Sequence, residues 1–304
     1  SRSVGSAEPK KEFKSTKRSQ IFQMPPFFRG PICNEAYTVT FGDCAENEKG
    51  MQIIGKAVQM GLTVDQLVAT QKKLMEMGME CRLISLGQLL PGVSTPDAAV
   101  LVILGGVNGL LKESRGEEMV YKELRSMPKD KTYRNRYGNV VNKHARHNNT
   151  MANYHQEPDI ERGKGTVVNF NDYPVTGQLR NAIAELVAVP HLVGELNHYF
   201  DASKCGIDYH GDEERKIVVG ARFGYGANGF PLKFHWYKNG HPVGSEGHIK
   251  LNSGDVYIMS EKAVGFDTFK CPWILTLRHA ASKEKKAVSG QKRKTCPEEG
   301  PIVL

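Results

Sequence analysis

The stretch that decides the fold runs from Glu195 to Phe223, ELNHYFDASKCGIDYHGDEERKIVVGARF. It holds three short β-prone runs, Glu195–Phe200, Gly206–His210 and Lys216–Phe223, broken by turn residues. Strands this short and this closely spaced predict an all-β barrel or jelly roll. His210 and Asp212 stand two apart at the end of the second run. Side chains alternate along a strand, so these two point to the same side. An imidazole and a carboxylate so placed are two arms of the facial triad that binds non-haem iron(II).

Working outward, the same rhythm predicts strands over Leu232–Tyr237, His248–Leu251, Asp255–Met259 and Trp273–His279. A strand over Thr166–Phe170 and a helix over Gly177–Val187 precede them, so the β domain is expected over 166–282. Upstream, the pattern changes. Ala36–Phe41, Cys81–Leu86 and Ala98–Leu104 read as strands, while Met51–Met60, the segment after Thr63, and Val107–Met127 have helical spacing. Thr63 and Gln66 fit a capping box. Alternating strands and helices predict a separate α/β domain over 33–128. Its Asp43, Glu46 and Glu48 are expected to favour a helix N-terminus, or to bind a cation. Residues 129–165, with the run Lys143–Asn149, lack periodicity and read as a linker or a lid.

Taken in order, Leu196-Asn197-His198-Tyr199, Tyr209-His210-Gly211-Asp212-Glu213-Glu214, Gly254-Asp255-Val256-Tyr257 and Leu275-Thr276-Leu277-Arg278 resemble the AlkB family of iron(II)/2-oxoglutarate dioxygenases. The resemblance covers roughly residues 190–285 and implies a double-stranded β-helix, Fe(II) on His210 and Asp212, and 2-oxoglutarate as co-substrate. It also implies that Asn197 and Tyr199 contact the oxoglutarate and that Arg278 pairs with one of its carboxylates. A buried dicarboxylate needs such a fork-shaped cation and hydrogen-bond donors. The implied reaction is decarboxylation to succinate coupled to hydroxylation of a C–H bond. The implied substrate is a methyl group on a nucleic-acid base, flipped out of its stack.

The third ligand breaks the pattern. The family's second histidine should fall in Ser260–Lys270, which contains none, and a second family arginine would fall at Pro272. Two substitutes exist, Asp267 and His279, the latter 69 residues after His210. Strand alternation puts Arg278 and His279 on opposite sides. The expectation is Arg278 inward and His279 outward. With His279 inward, the oxoglutarate cation would have to come from the basic tail, for instance Arg293. An incomplete metal centre leads to the alternative function, a catalytically degenerate module that binds nucleic acid or an assembly partner. Of the aromatic strand residues, Trp236 and Tyr237 read as core or as a base-stacking pair. His235 reads as packed, and His241 and His248 as facing water.

Charge bears on partners. The chain has 304 residues and a net charge of +8, of which residues 1–20 carry +4 and residues 281–304 carry +3. Basic tails of this kind suit nucleic acid. There is no apolar run near 18 residues, so no membrane span is expected. The polar, basic start lacks the apolar core of a secretory signal, and the six cysteines are scattered with no C-x-x-C pair. These features predict an intracellular protein, cytoplasmic or nuclear, with reduced thiols.

Overall fold

The first strand shows why residues 34–282 are not cut in two. All seven residues of β1 (Ala36–Gly42) are buried, so both of its faces are covered. The computed structural model describes residues 34–271, 273–282 and 301–304. The remaining elements before the site are β2 (Cys44–Glu46), β3 (Ile53–Gly55), α1 (Val64–Glu76), β4 (Cys81–Ser85), β5 (Ala99–Ile103), α2 (Gly106–Leu111), α3 (Gly116–Ser126), β6 (Thr132–Arg134), β7 (Val140–Asn142), β8 (His147–Ala152), β9 (Val167–Asn169) and α4 (Pro174–Val187). Then come β10 (Val193–Tyr199), β11 (Gly206–His210), β12 (Val219–Phe223), β13 (Leu232–Lys238), β14 (His241–Ile249), β15 (Val256–Met259), α5 (Glu261–Val264), β16 (Thr276–Ser282) and β17 (Ile302–Val303).

Two sheets organise the described residues. The larger has the order β4-β5-β15-β12-β1-β10-β8-β9 and the smaller β11-β16-β13-β14-β17. Pairing is antiparallel except for β8 with β9 and β14 with β17. β-rich structure is therefore the outcome. The expected separate α/β domain over 33–128 is not formed, because its strands β1, β4 and β5 lie in one sheet with β10, β12 and β15. The physical reason is edge closure: single strands leave unpaired backbone groups on each side, and β1 and β5 each find a partner more than a hundred residues away, with β4 added beside β5.

Alternation divides the core. Leu101 and Ile103 of β5 pack with Val39, Ala221 and Ile258 beneath α1, α3 and α4, while Val100 and Val102 point the other way and join Phe234, Trp236 and Leu277 of the smaller sheet. Helices thus cover one face of the large sheet and the small sheet covers the other. α1 begins as expected, with Thr63 and Gln66 forming a reciprocal capping box. Val107–Met127 splits into two helices, with Lys112 left-handed between them. Met51–Met60 is not a helix: Cys44–Glu46 and Ile53–Gly55 form a hairpin, so Asp43, Glu46 and Glu48 have no helix end to serve. Asp43 instead accepts backbone N–H bonds from Val58, Lys216 and Ile217. The expected linker over 129–165 contributes β8, a strand of the large sheet. No helix among the described residues is long and apolar enough to cross a membrane. The basic stretches 1–20 and 283–300 lie outside the described residues.

The interleaving predicts that residues 166–282 expressed alone do not fold, since β10 and β12 would each lose β1 from one side. Circular dichroism melting should show no cooperative transition for that fragment. A sharp transition there would mean that the large sheet is not the folding unit.

Candidate metal centre

The site grows from one cross-strand pair. β11 pairs antiparallel with β16, and a register shift between Ile207 and His210 sets His210 directly opposite His279. Opposed residues in an antiparallel pair share a face, so both imidazoles point the same way, with ring centroids 4.3 Å apart. Asp212 follows two residues past the strand end. Its Oδ1 lies 3.4 Å from His210 Nε2 and 3.6 Å from His279 Nε2. One ligand atom from each of the three lies within 4.8 Å of the others. Two ligands at right angles on an ion with bonds near 2.1 Å would stand roughly 3 Å apart, so a small closure suffices.

Neighbouring groups fix these side chains. His210 Nδ1 meets the Asp208 carbonyl at 2.8 Å, which leaves Nε2 free as the ligand atom. Asp212 N donates to the Val264 carbonyl at 3.1 Å. Arg215 Nε sits 3.3 Å from Asp212 Oδ2, holding that oxygen and leaving Oδ1 for a metal. Gly211 is required here: a Cβ would stand 2.2 Å from the Gly265 carbonyl oxygen. Ser260–Lys270 therefore braces the H-x-D turn from behind. The Ala263 carbonyl approaches the His279 ring without forming a standard hydrogen bond to Nδ1.

Electrostatics suit a cation. Burial tends to protonate Asp212, but Arg215 and then His279 outweigh it, and its carboxyl is held well below the usual range. Burial lowers the His279 pKa to about 3, so this imidazole is neutral, as a ligand must be. Burial also works against charge on His210, yet its hydrogen bond and charge interaction with Asp212 raise its pKa overall.

The triad opens into a cavity of about 630 Å³. Asn197 and Tyr199 line it. Asn197 accepts from Arg146 Nε at 2.5 Å and donates to Glu195 Oε1 at 3.0 Å. Arg146 comes from the expected lid segment, but as a cavity wall beside β8.

Arg278 and His279 reverse the expectation. His279 faces inward and is 7% exposed. Arg278 turns to the outer side, with its guanidinium 4.1 Å from the Tyr237 ring centroid and 5.5 Å from that of Phe269. The reason is alternation: Leu277 fills the core between the sheets, and the cavity position next along the strand falls to His279. Asp267 is not at the metal site; it pairs with Lys262 at 2.6 Å. Trp236 is fully buried and donates to the Leu86 carbonyl at 2.9 Å, so it is a core residue. His248 is buried, with Glu246 at 2.9 Å, instead of facing water. Pro272 and Arg293 lie outside the described residues. Sequence reasoning placed Arg146 in a possible lid over a site and missed Glu195 and Arg215, of which Arg215 carried a local signal, three residues after Asp212.

No protein-family model matches the chain. It is 40% identical over 255 residues to an uncharacterized protein of Acanthamoeba polyphaga mimivirus, covering 83% of this chain and 97% of that one.

The geometry predicts that His279→Ala removes metal binding while Arg278→Leu and Asp267→Asn retain it. Arg215→Gln should weaken it by roughly 10–100-fold, the usual cost of losing an outer-sphere partner. Anaerobic titration of each purified variant with iron(II) or cobalt(II) measures this. Full metal affinity in His279→Ala would break the triad assignment.

Proposed function

We propose that this chain, which belongs to the family of that mimivirus protein, is an iron(II)- and 2-oxoglutarate-dependent dioxygenase on a double-stranded β-helix. The observation that carries the reading is the set of half-buried His210 and buried Asp212 and His279 at a cavity large enough for a co-substrate and a substrate group. The strand order supports the fold. β10 through β16 supply four strands to the smaller sheet and three to the larger, and β1 fills the place between β10 and β12. Two facing four-stranded antiparallel sheets are the jelly-roll arrangement. In this reading the fourth strand of the larger sheet's half, β1, comes from the front of the chain.

Iron(II) held by two imidazoles and one carboxylate would supply activation of dioxygen, with open positions for a keto acid. The chain's residues prepare that site. Arg215 keeps Asp212 ionised and aimed, and burial keeps His279 neutral. Asn197, fixed by Arg146 and Glu195, presents a rigid polar wall. Tyr199 and Tyr257 close the deep end with little exposure and keep water out.

The substrate side favours a cation. The carboxylates of Glu46, Glu48, Glu195, Asp212, Glu213 and Glu214 line the cavity against Lys49, Arg146 and Arg215. A base methylated on a ring nitrogen carries positive charge and fits such a lining. Oxidative demethylation of a nucleic-acid base is thus the finer reading, with the basic tails as the contact to the strand. The alternative, a degenerate binding module, rested on the lack of a third ligand, and the inward His279 takes that argument away.

Anaerobic addition of iron(II) and 2-oxoglutarate should give a visible charge-transfer band, and admission of O₂ should yield succinate. His210→Ala and Asp212→Ala should give neither. A parent protein that binds no metal, or that makes no succinate with any tested substrate, would overturn the enzyme reading.

A further inference from the structure

Glu195 is the most buried carboxylate of the cavity lining, at 3% exposure. Among the described residues its hydrogen bonds and ion pairs go to Arg215, Asn197 and Arg146, and none goes to the triad. Its two oxygens face different ways. Oε2 accepts from Arg215 Nη2, and Nε of the same guanidinium lies 3.3 Å from Asp212 Oδ2. Oε1 accepts from Asn197 Nδ2 at 3.0 Å and lies 3.9 Å from Arg146 Nη2. Arg146 Nε in turn donates to Asn197 Oδ1. One carboxylate thus stands between the arm that aims a metal ligand and the wall made by Asn197 and Arg146.

Register explains the placement. Glu195 and Asn197 stand two apart on β10, so both face the cavity while Leu196 joins the core behind. Thr40 and Thr150 flank Glu195 on β1 and β8, so the neighbouring strands offer it no charge. The cations reach it from beyond the strand ends, Arg146 just before β8 and Arg215 from the segment between β11 and β12. A buried carboxylate is tolerated only when it is paired and hydrogen-bonded. The dependence also runs the other way. Two guanidinium groups brought together repel, and the charge of Arg215 works against that of Arg146. Among the described residues only Glu195 pairs with both. Without it, Arg215 is left to Asp212 and to the nearer Glu214, whose Oε1 is 2.6 Å from Nε, and its aim at Asp212 weakens.

We propose that Glu195 is a positioning residue for both halves of the site. Through Arg215 it holds Asp212 for the metal, and through Asn197 and Arg146 it sets the wall that the co-substrate meets. The metal half stands on the triad alone, and the co-substrate half rests on the dioxygenase reading.

Full-length parent, Glu195→Gln, Arg215→Gln and the double variant are titrated anaerobically with cobalt(II), read by its visible spectrum. Glutamine keeps the shape but must turn an NH2 group toward one of the donors. Glu195→Gln should weaken metal binding about tenfold, the scale of an outer-sphere partner. The double variant should bind within about twofold of Arg215→Gln alone, because residues acting along one chain of contacts are not additive. A merely structural residue would lower the melting temperature and leave metal affinity unchanged, and one acting by charge alone would give the product of the two single losses. Either result overturns the metal half. Glu195→Asp keeps the charge and shortens the arm by one methylene, so it should lose metal affinity on the same scale. It is decisive if a glutamine variant does not fold, and parent-like affinity in it overturns the metal half. At saturating iron(II), Glu195→Gln should also bind 2-oxoglutarate about tenfold more weakly by calorimetry, because the wall has lost a hydrogen-bond acceptor. Parent-like 2-oxoglutarate affinity there overturns the co-substrate half. A parent that binds metal but no 2-oxoglutarate overturns that half together with the dioxygenase reading, and the cobalt titration still decides the metal half.

Discussion

The register between β11 and β16 is the constraint on which the site depends. A slip of one residue on either strand would turn one imidazole to the opposite face, and no triad would exist. The slip is prevented from both sides. Leu277 is fixed in the core shared by the two sheets, and a shift between Ile207 and His210 absorbs the odd residue that would otherwise misalign the pair. Asp212, beyond the strand, is placed by its backbone bond to Val264 and by the close approach of Gly211 to Gly265.

That register needs the larger sheet behind it. The smaller sheet buries Phe234, Trp236 and Leu277 in one cluster with Val100, Val102, Tyr257 and Met259 of the larger one. The larger sheet in turn is held at its centre by β1, which pairs with β10 on one side and β12 on the other. The same strand sends Tyr37, Val39 and Phe41 to the helices and Thr38 and Thr40 to the cavity. Stability and binding are therefore carried by alternate residues of one seven-residue segment.

Charge in the cavity is arranged by pairing. Asp212 and Glu195 are each held by arginine, and their carboxyls sit below their ordinary range despite burial. Glu46 has no arginine in contact and is pushed up to about 7 by burial. Removing either partner of such a buried pair leaves an uncompensated charge, which is why buried ion networks tolerate so little change.

The sequence by itself determined most of the local elements and two of the three residues of the candidate metal set. The capping box at Thr63, the short strands from β10 to β16, and the same-side placement of His210 and Asp212 all follow from spacing and propensity, which act over a few residues. It also reduced the third ligand to a choice between named residues, one of them His279. Only the tertiary structure decided between them. Alternation says that Arg278 and His279 face opposite ways, but not which way, because that is fixed by what packs against Leu277 from another sheet. Likewise the alternating strands and helices before residue 128 were legible as elements while their partners were not. A strand of seven buried residues carries no local record of the distant segment that pairs with it, so β1, and with it Thr38 and Thr40, entered the site only once the chain had closed.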